Sequence, residues 1–346
     1  MAFTVKMKKH VNIPIFIPHL GCPHTCVFCN QRSISGKKSF SLEDVDKEIE
    51  SALATIDTDR TETEIAYFGG SFTGIDFSLM EELLKIAYKY VSDGRVAHIR
   101  CSTRPDYIDK RILTSLAKYG VKTIELGLQS ANDRVLSVCE RGHTFADEMR
   151  ACDMIVASGF NLVGQMMIGL PGSSQQDELD TAEFIVNSGA VGARIYPTVV
   201  FHDSELCEMT KRGEYRPLTL DEAVHRTKNS MKVFIDNNVN IIRVGLCSSE
   251  NLISDSTYFA GPNHEAICEL CENEIYRDLL IQKLSGIGHC DTENKTLTIS
   301  VPVGCTSKVC GQNKSNKNFL IETFGFRHIK FSEDNIKPYS VAISIN

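Results

Sequence analysis

The sequence predicts an α/β fold, a largely parallel sheet wrapped by helices, followed by a smaller α+β module. Three observations carry this. Six short apolar, β-branched runs recur up to about residue 199, each leading through a polar or Gly-rich loop into a helical pattern. The helical patterns open on capping residues. The alternation then fades after about residue 245. Of the 346 residues, 42% are hydrophobic and 23% charged, so a large core is available and disorder is excluded for most of the chain.

The strand runs fall at 12–17, 64–68, 97–101, 122–128, 161–168 and 193–199. Between them, Ser41 with Asp44, Ser78 with Glu81, Thr144 with Asp147, Ser174 with Asp177 and Thr219 with Glu222 have capping-box spacing. Val45, Ile49, Leu53 and Ile56 would form one buried helical stripe, and Leu83, Leu84, Ile86, Ala87 and Val91 another; Gly120 and Gly189 stand where helix ends favour a left-handed residue. Six βα units are too few for a closed eight-unit barrel, leaving an open doubly wound sheet or a partial barrel. Either places chemistry at the carboxyl ends of the strands. Residues 1–245 form this first domain and 246–346 the second, with strands near 296–301, 328–331 and 340–345 and a helix near 318–323.

The 37 Lys and Arg against 44 Asp and Glu leave a net charge of −7, which gives no global case for nucleic-acid binding. The balance is uneven: residues 291–346 carry seven Lys/Arg against five Asp/Glu, so a polyanion would prefer that end. The 13 cysteines lie far below the roughly 8–10% of disulfide scaffolds and are odd in number, which points to a reducing compartment. Pro14 and Pro18 interrupt the first apolar stretch, no small-residue cleavage site follows, and no run approaches the roughly 18 residues that span a bilayer; the expectation is a cytoplasmic protein without membrane attachment.

Directly after the first strand, Cys22, Cys26 and Cys29 stand at CxxxCxxC spacing in one short loop. Three soft ligands suit iron and sulfur; a closed zinc site wants a fourth ligand, and His24 lacks finger spacing. A cluster held by three thiolates keeps one iron open for a reactant. This loop, with Phe28 before its last cysteine, resembles the signature of radical S-adenosylmethionine (radical SAM) enzymes. GCPHTCVFCNQRSISG, YFGGSFTGI, STRPDYI, ELGLQS, RGHT, IGLPG and IYPT, in that order, resemble the Elongator catalytic-subunit type over the first 245 residues. The resemblance implies a partial (β/α)6 TIM-like barrel, a [4Fe-4S] cluster on the three cysteines, and S-adenosylmethionine on the open iron. It also implies an electron donor such as flavodoxin or ferredoxin, and reductive cleavage of the cofactor to a 5′-deoxyadenosyl radical that takes hydrogen from a substrate.

The same resemblance implies the cofactor-binding residues. Phe28 would lie near the adenine; Gly69, Gly70 and Ser71 would offer backbone carbonyls to the ammonium group. Thr103 ends the third strand beside Ser102, where the Elongator pattern has Glu. Gln129 shares a strand face with Glu125, which would be the barrel interior. Arg141 matches an arginine that binds the cofactor carboxylate in oxygen-independent coproporphyrinogen oxidases. Met167, in a segment otherwise read as core, would support the adenine, and Tyr196 with Arg194 would reach the ribose or substrate, Arg194 being equally at home on the surface.

Two features stand outside this set. Cys268 with Cys271 and Cys305 with Cys310 are pairs that would suit a second metal, although the first lies in a helix-like segment. Lys308, Lys314 and Lys317 among small polar residues resemble a phosphate-binding surface, or an ordinary solvated loop. The functional expectation is radical-based RNA modification, with tRNA as the candidate partner. Elongator proteins also carry an acetyltransferase domain, for which this length leaves no room, so their wobble-uridine reaction is not carried over. The alternatives are radical chemistry on a small molecule or tetrapyrrole, and a non-enzymatic cluster or haem carrier.

Overall fold

The computed structural model describes residues 9–17, 22, 26–29, 41–57, 60–246, 257–287 and 292–346. His24 and residues 30–36 of the first motif, like Pro18 and the first eight residues, lie outside them. The centre is a seven-stranded sheet in which every neighbouring pair is parallel. Its order is β1 (Lys9–Phe16), β2 (Thr61–Phe68), β3 (His98–Thr103), β4 (Val121–Gln129), β5 (Asn161–Ile168), β6 (Gly192–Pro197) and, beyond the two-residue β7 (Val200–Phe201), β8 (Asn240–Val244).

The sheet is curled. In a flat sheet β2 and β6, four strands apart, would stand about 19 Å from each other, yet the Arg194 guanidinium on β6 lies 5.7 Å from the Phe68 ring centroid on β2. Of the two architectures open from periodicity, the partial barrel is the one formed, with a seventh strand where six were expected. β8 escapes periodicity because Asn240–Val244 is a short edge strand, mostly half-exposed.

Strand alternation divides the residues between an outer face and a lumen. Outward, Ile13, Ile15, Ile65, Tyr67, Ile99, Ile124, Leu126 and Ile195 join one core with Val45 and Ile49, Leu83 and Leu84, Ile155, Ile185 and Phe234 of the surrounding helices. Gly164 makes one close approach possible: a Cβ there would meet Ile185 Cγ2 at 2.6 Å. Four of the five expected caps form, at Ser41, Thr144, Ser174 and Thr219. The exception is Ser78. Asp76 caps that helix instead, its carboxylate accepting from Leu79 N at 3.0 Å, so Ser78 falls inside the first turn. The run 193–199 also divides: β6 ends at Pro197, and β7 pairs antiparallel with β9 (Tyr258–Ala260).

Helix Ile267–Leu284 joins the barrel to the C-terminal module. Ile267, Cys271 and Ile275 pack into the barrel core, while Tyr276, Leu280 and Leu284 enter the second core. There β10 (Thr296–Pro302) lies between parallel β11 (His328–Asp334) and antiparallel β12 (Ala342–Ile345), beside helix Ser315–Phe324. Lys308 takes part in this joint: its Nζ donates to Glu272 Oε1 at 2.8 Å, as does Tyr339 Oη at 3.0 Å. It is therefore not a free phosphate ligand, whereas Lys314 stays exposed and Lys317 half-exposed. No helix among the described residues is long and apolar enough to cross a membrane.

Candidate active site

Of the cysteine loop that follows β1 in sequence, Cys22 and residues 26–29 are described. Val27 pins it from two sides: its N–H donates to Cys139 O at 3.3 Å and its carbonyl accepts from Leu206 N at 2.8 Å. Cys29 N donates to Cys26 O at 2.8 Å, a tight turn that keeps the two thiols on one short segment. Phe28 and Met167 both pack against the apolar cluster of Val27, Val135, Leu170 and Leu206, so an aromatic ring and a thioether from distant elements flank one patch beside the loop. Met166 is wholly buried in the main core.

Opposite lies the turn after β2. Gly69 and Gly70 have φ of 107° and 135°, and a Cβ on Gly69 would stand 2.2 Å from Ile17 O, so only glycine permits this turn against β1. Ser71 Oγ is 2.8 Å from Thr103 Oγ1, tying this turn to the end of β3. A backbone hydrogen bond from Ser71 reaches Cys22, whose thiol pKa burial pushes up while Arg104 and Arg141 pull it down.

Two guanidinium groups stand against the sulfur of Cys26. Arg141 donates to Cys26 Sγ at 3.3 Å and to Gly127 O at 2.5 Å; Arg104 lies 4.0 Å from the same sulfur and donates to Arg141 O. Gly127 leaves the room, since a Cβ there would meet Gln129 Nε2 at 3.0 Å and Arg141 Nη2 at 3.6 Å. The strand register shifts here and Gln129 takes φ 75°, folding its amide back over Gly127 on the lumen side. Behind Arg104, Asp106 accepts from its Nε and Nη2 at 2.9 and 3.0 Å, while Asp109 caps the next helix. His143 Nδ1 lies 3.8 Å from Asp106, and His143 Nε2 is 3.0 Å from Glu148 Oε1 with both side chains fully buried. Burial, then Arg141 and Arg104, push the His143 pKa down to about 3, and burial raises Glu148.

Deeper in the lumen the charges pair. Arg100 donates to Glu64 Oε2 at 2.9 Å and to Glu125 Oε1 at 2.7 Å; Arg194 donates to Glu125 Oε1 at 3.0 Å and to Tyr196 Oη at 3.4 Å. His10 Nε2 is 2.9 Å from Glu64. Arg194 is thus a lumen residue, not a surface one, and Tyr196 is half-buried beside it.

The pattern of the radical SAM superfamily matches residues 16–185, and that of a radical SAM C-terminal domain matches 190–277. An uncharacterized protein of Methanocaldococcus jannaschii is 31% identical over 226 residues, 62% of this chain and 68% of that one. The chain belongs to the radical SAM superfamily. Within it, a tRNA uridine(34) acetyltransferase of the same organism is 34% identical over 157 residues, 44% of this chain and 29% of the relative. The chain thus spans under a third of that relative's length. Among solved structures, archaeal Elp3 from Methanocaldococcus infernus shares the fold at TM-score 0.62 and 19% identity, over 79% of this chain and 64% of that one.

As a radical SAM enzyme the chain uses a [4Fe-4S] cluster and S-adenosylmethionine, and the residues at the barrel mouth fit both. Arg141 and Arg104 stand 3.3 and 4.0 Å from Cys26 Sγ, cations that would offset the negative charge of iron-bound thiolates. Gln129 Oε1, Ser130 Oγ and Arg141 Nε are buried without a partner among the described residues, polar atoms of the kind a bound ligand would satisfy. Among the described residues no three His, Cys, Asp or Glu converge on a single-ion site; the loop thiols need not, since each would bind a different iron of a cubane. Cys271 is buried in the core with Sγ 3.7 Å from Val224 O, and burial raises the thiols of Cys268, to about 11, and Cys271, so this pair packs as neutral thiols. The sequence did not single out Arg100 or the His143–Glu148 pair, and it offered Arg104 only as one of the polar side chains at the end of the third strand. Arg104 stood in plain view inside STRPD, where a cation between a strand end and a proline was the available signal.

Proposed function

We propose that this radical SAM enzyme modifies RNA, with transfer RNA as its substrate class and a flavodoxin- or ferredoxin-like protein as electron donor. The observation that carries the reading is the 34% identity, over 157 and 148 residues, to tRNA uridine(34) acetyltransferases of two archaea. The reading takes from those relatives the RNA substrate, not the acetyl transfer in their names.

Cys22, Cys26 and Cys29 would hold the cluster, and Arg141 and Arg104 would offset its thiolate charge. Gly69, Gly70 and Ser71 would present backbone to the amino-acid end of S-adenosylmethionine, with Thr103, Gln129 and Arg141 beside it; Phe28, Met167 and Tyr196 would line the nucleoside end. The bound pair supplies one-electron cleavage of a carbon–sulfur bond and, through it, hydrogen-atom abstraction. Val27, Val135, Leu170 and Leu206 keep water from one side of the loop.

The paired lumen weighs against a tetrapyrrole. Arg100 and Arg194 are already matched by Glu64 and Glu125, so several carboxylates entering together would have to displace existing ion pairs. The test is anaerobic turnover of the reconstituted, reduced protein with tRNA from cells grown on deuterated uridine. Deuterium should enter 5′-deoxyadenosine in a tRNA-dependent manner. If tRNA leaves both cofactor cleavage and label transfer unchanged, the substrate assignment is wrong.

A further inference from the structure

Phe16 ends β1 and is 38% exposed although its neighbours Ile15 and Ile17 are buried on the helix side. Alternation therefore puts Phe16 on the lumen side. Its register partner is Phe68, the last residue of β2, with ring centroids 6.1 Å apart and planes at 41°. From across the lumen the Arg194 guanidinium stands 5.7 Å from the Phe68 centroid, held in place by Glu125 and Tyr196. Both rings lie at the barrel mouth. Phe68 directly precedes the Gly69-Gly70 turn, and Phe16 is six positions before Cys22.

The surroundings restrict what these rings can receive. Glu64 and Glu125 neutralise Arg100 and Arg194, Asp106 pairs with Arg104, and Arg243 donates to the carbonyls of Gly245 and Leu246. A phosphate or carboxylate would have to break one of these pairings to gain a partner. A flat, uncharged ring with polar edges would not: it gains a π-face from phenylalanine while its edges meet the polar lumen.

We propose that Phe16 and Phe68, backed by Arg194, form a stacking platform that receives the target nucleobase of the RNA, taken out of its own stack, at the mouth of the lumen. The proposal rests on the RNA reading above and deepens it. A base buried in a helix or a stacked loop cannot reach a site inside a barrel mouth unless it is extruded, and an aromatic face compensates for the stacking it loses. Such a platform tolerates any base, so base identity would be read by other groups.

The chain has no tryptophan, so Phe16→Trp introduces a single indole as reporter. With the full chain carrying its reconstituted cluster and no S-adenosylmethionine, oligouridylate and unfractionated tRNA should each quench this indole saturably. In the otherwise native chain, Phe68→Leu keeps apolar bulk but removes the ring face, and should weaken tRNA binding about tenfold or more. Phe16→Leu should do the same and serves if the indole disturbs folding. If the unsubstituted protein binds tRNA but both leucine variants bind it equally well and no quenching occurs, the platform is wrong and the RNA reading stands. If the unsubstituted protein binds no tRNA, both fall. If S-adenosylmethionine alone quenches the indole and RNA does not, the rings serve the cofactor's adenine and the platform is overturned.

Discussion

Ile124 and Glu125 are neighbours on β4, both essentially without solvent exposure, and they are buried for opposite reasons. Ile124 points outward into the continuous apolar layer between sheet and helices. Glu125 points into the lumen, where it accepts from Arg100 and Arg194. The outer layer gains by taking apolar surface from water and is non-directional, so each residue contributes nearly on its own. The lumen holds ions out of water, where each is tolerable only while its partners remain. One face of the sheet therefore supports the fold by addition, and the other by mutual satisfaction.

The most severe way to break this contrast acts on metal binding. Replacing Cys26 by Ala should reduce iron and inorganic sulfide in anaerobically reconstituted protein to background, while circular dichroism and the unfolding midpoint change little, because the loop lies above the sheet core. Retention of a full complement of iron would remove Cys26 from the ligand set.

Next in size is the lumen itself. Arg100→Met leaves Glu64 with only an exposed His10 and Glu125 with one of its two cations, and should cost about 3–5 kcal/mol in urea unfolding. Adding Glu64→Gln removes the stranded charge and should recover a large part of that loss. Mutual satisfaction predicts this non-additivity; simple addition of the two single effects would contradict it.

The third prediction concerns the proton. The His143 pKa, depressed to about 3 against an ordinary 6.5, means that between those values the unfolded chain takes up a proton that the folded chain refuses. Stability from this group is complete above about pH 6.5 and is lost as the pH falls towards 3, with a slope of at most about 1.4 kcal/mol per pH unit. Glu148 works in the opposite sense: its raised pKa makes its contribution fade as pH rises past the ordinary carboxylate range. His143→Gln should flatten the fall of the thermal midpoint between pH 6.5 and 4. Parallel curves for variant and parent would show that the histidine titrates freely.

The two faces were also unequally legible in the sequence. The isoleucines at 13, 65, 99 and 124 declare themselves by local periodicity, as do Thr144 and Ser174 at their helix starts, because burial and capping are decided within a few residues. The cysteine spacing carries the cluster for the same reason. Whether Arg194 faces solvent or the lumen depends on Glu125, 69 positions away, and Arg100 depends on Glu64, 36 positions away. No window of sequence contains those pairs. The seventh strand was hidden differently: Asn240–Val244 is too short and too exposed at the sheet edge to show a period.

The smallest expected effect lies on the outer face and gives the cleanest test of additivity. Ile124→Val removes one methylene from a fully buried side chain whose neighbours, Ile99 and Leu126 among them, are themselves apolar. The loss should be about 0.5–1.5 kcal/mol, set by transfer of that group and by how far the surroundings close on the space it leaves. No ion is stranded, so the loss should be the same at pH 5 and pH 8 and at low and high salt. Combined with Ile49→Val, on a helix beyond the sheet, it should sum within about 0.5 kcal/mol if the two sites share no neighbour that relaxes. Denaturant unfolding of the two single variants and the double variant measures this. A loss that varied with salt, or a coupling as large as that expected between Arg100 and Glu64, would mean that the apolar layer feels the lumen charges through the strand, and the division between the two faces would fail.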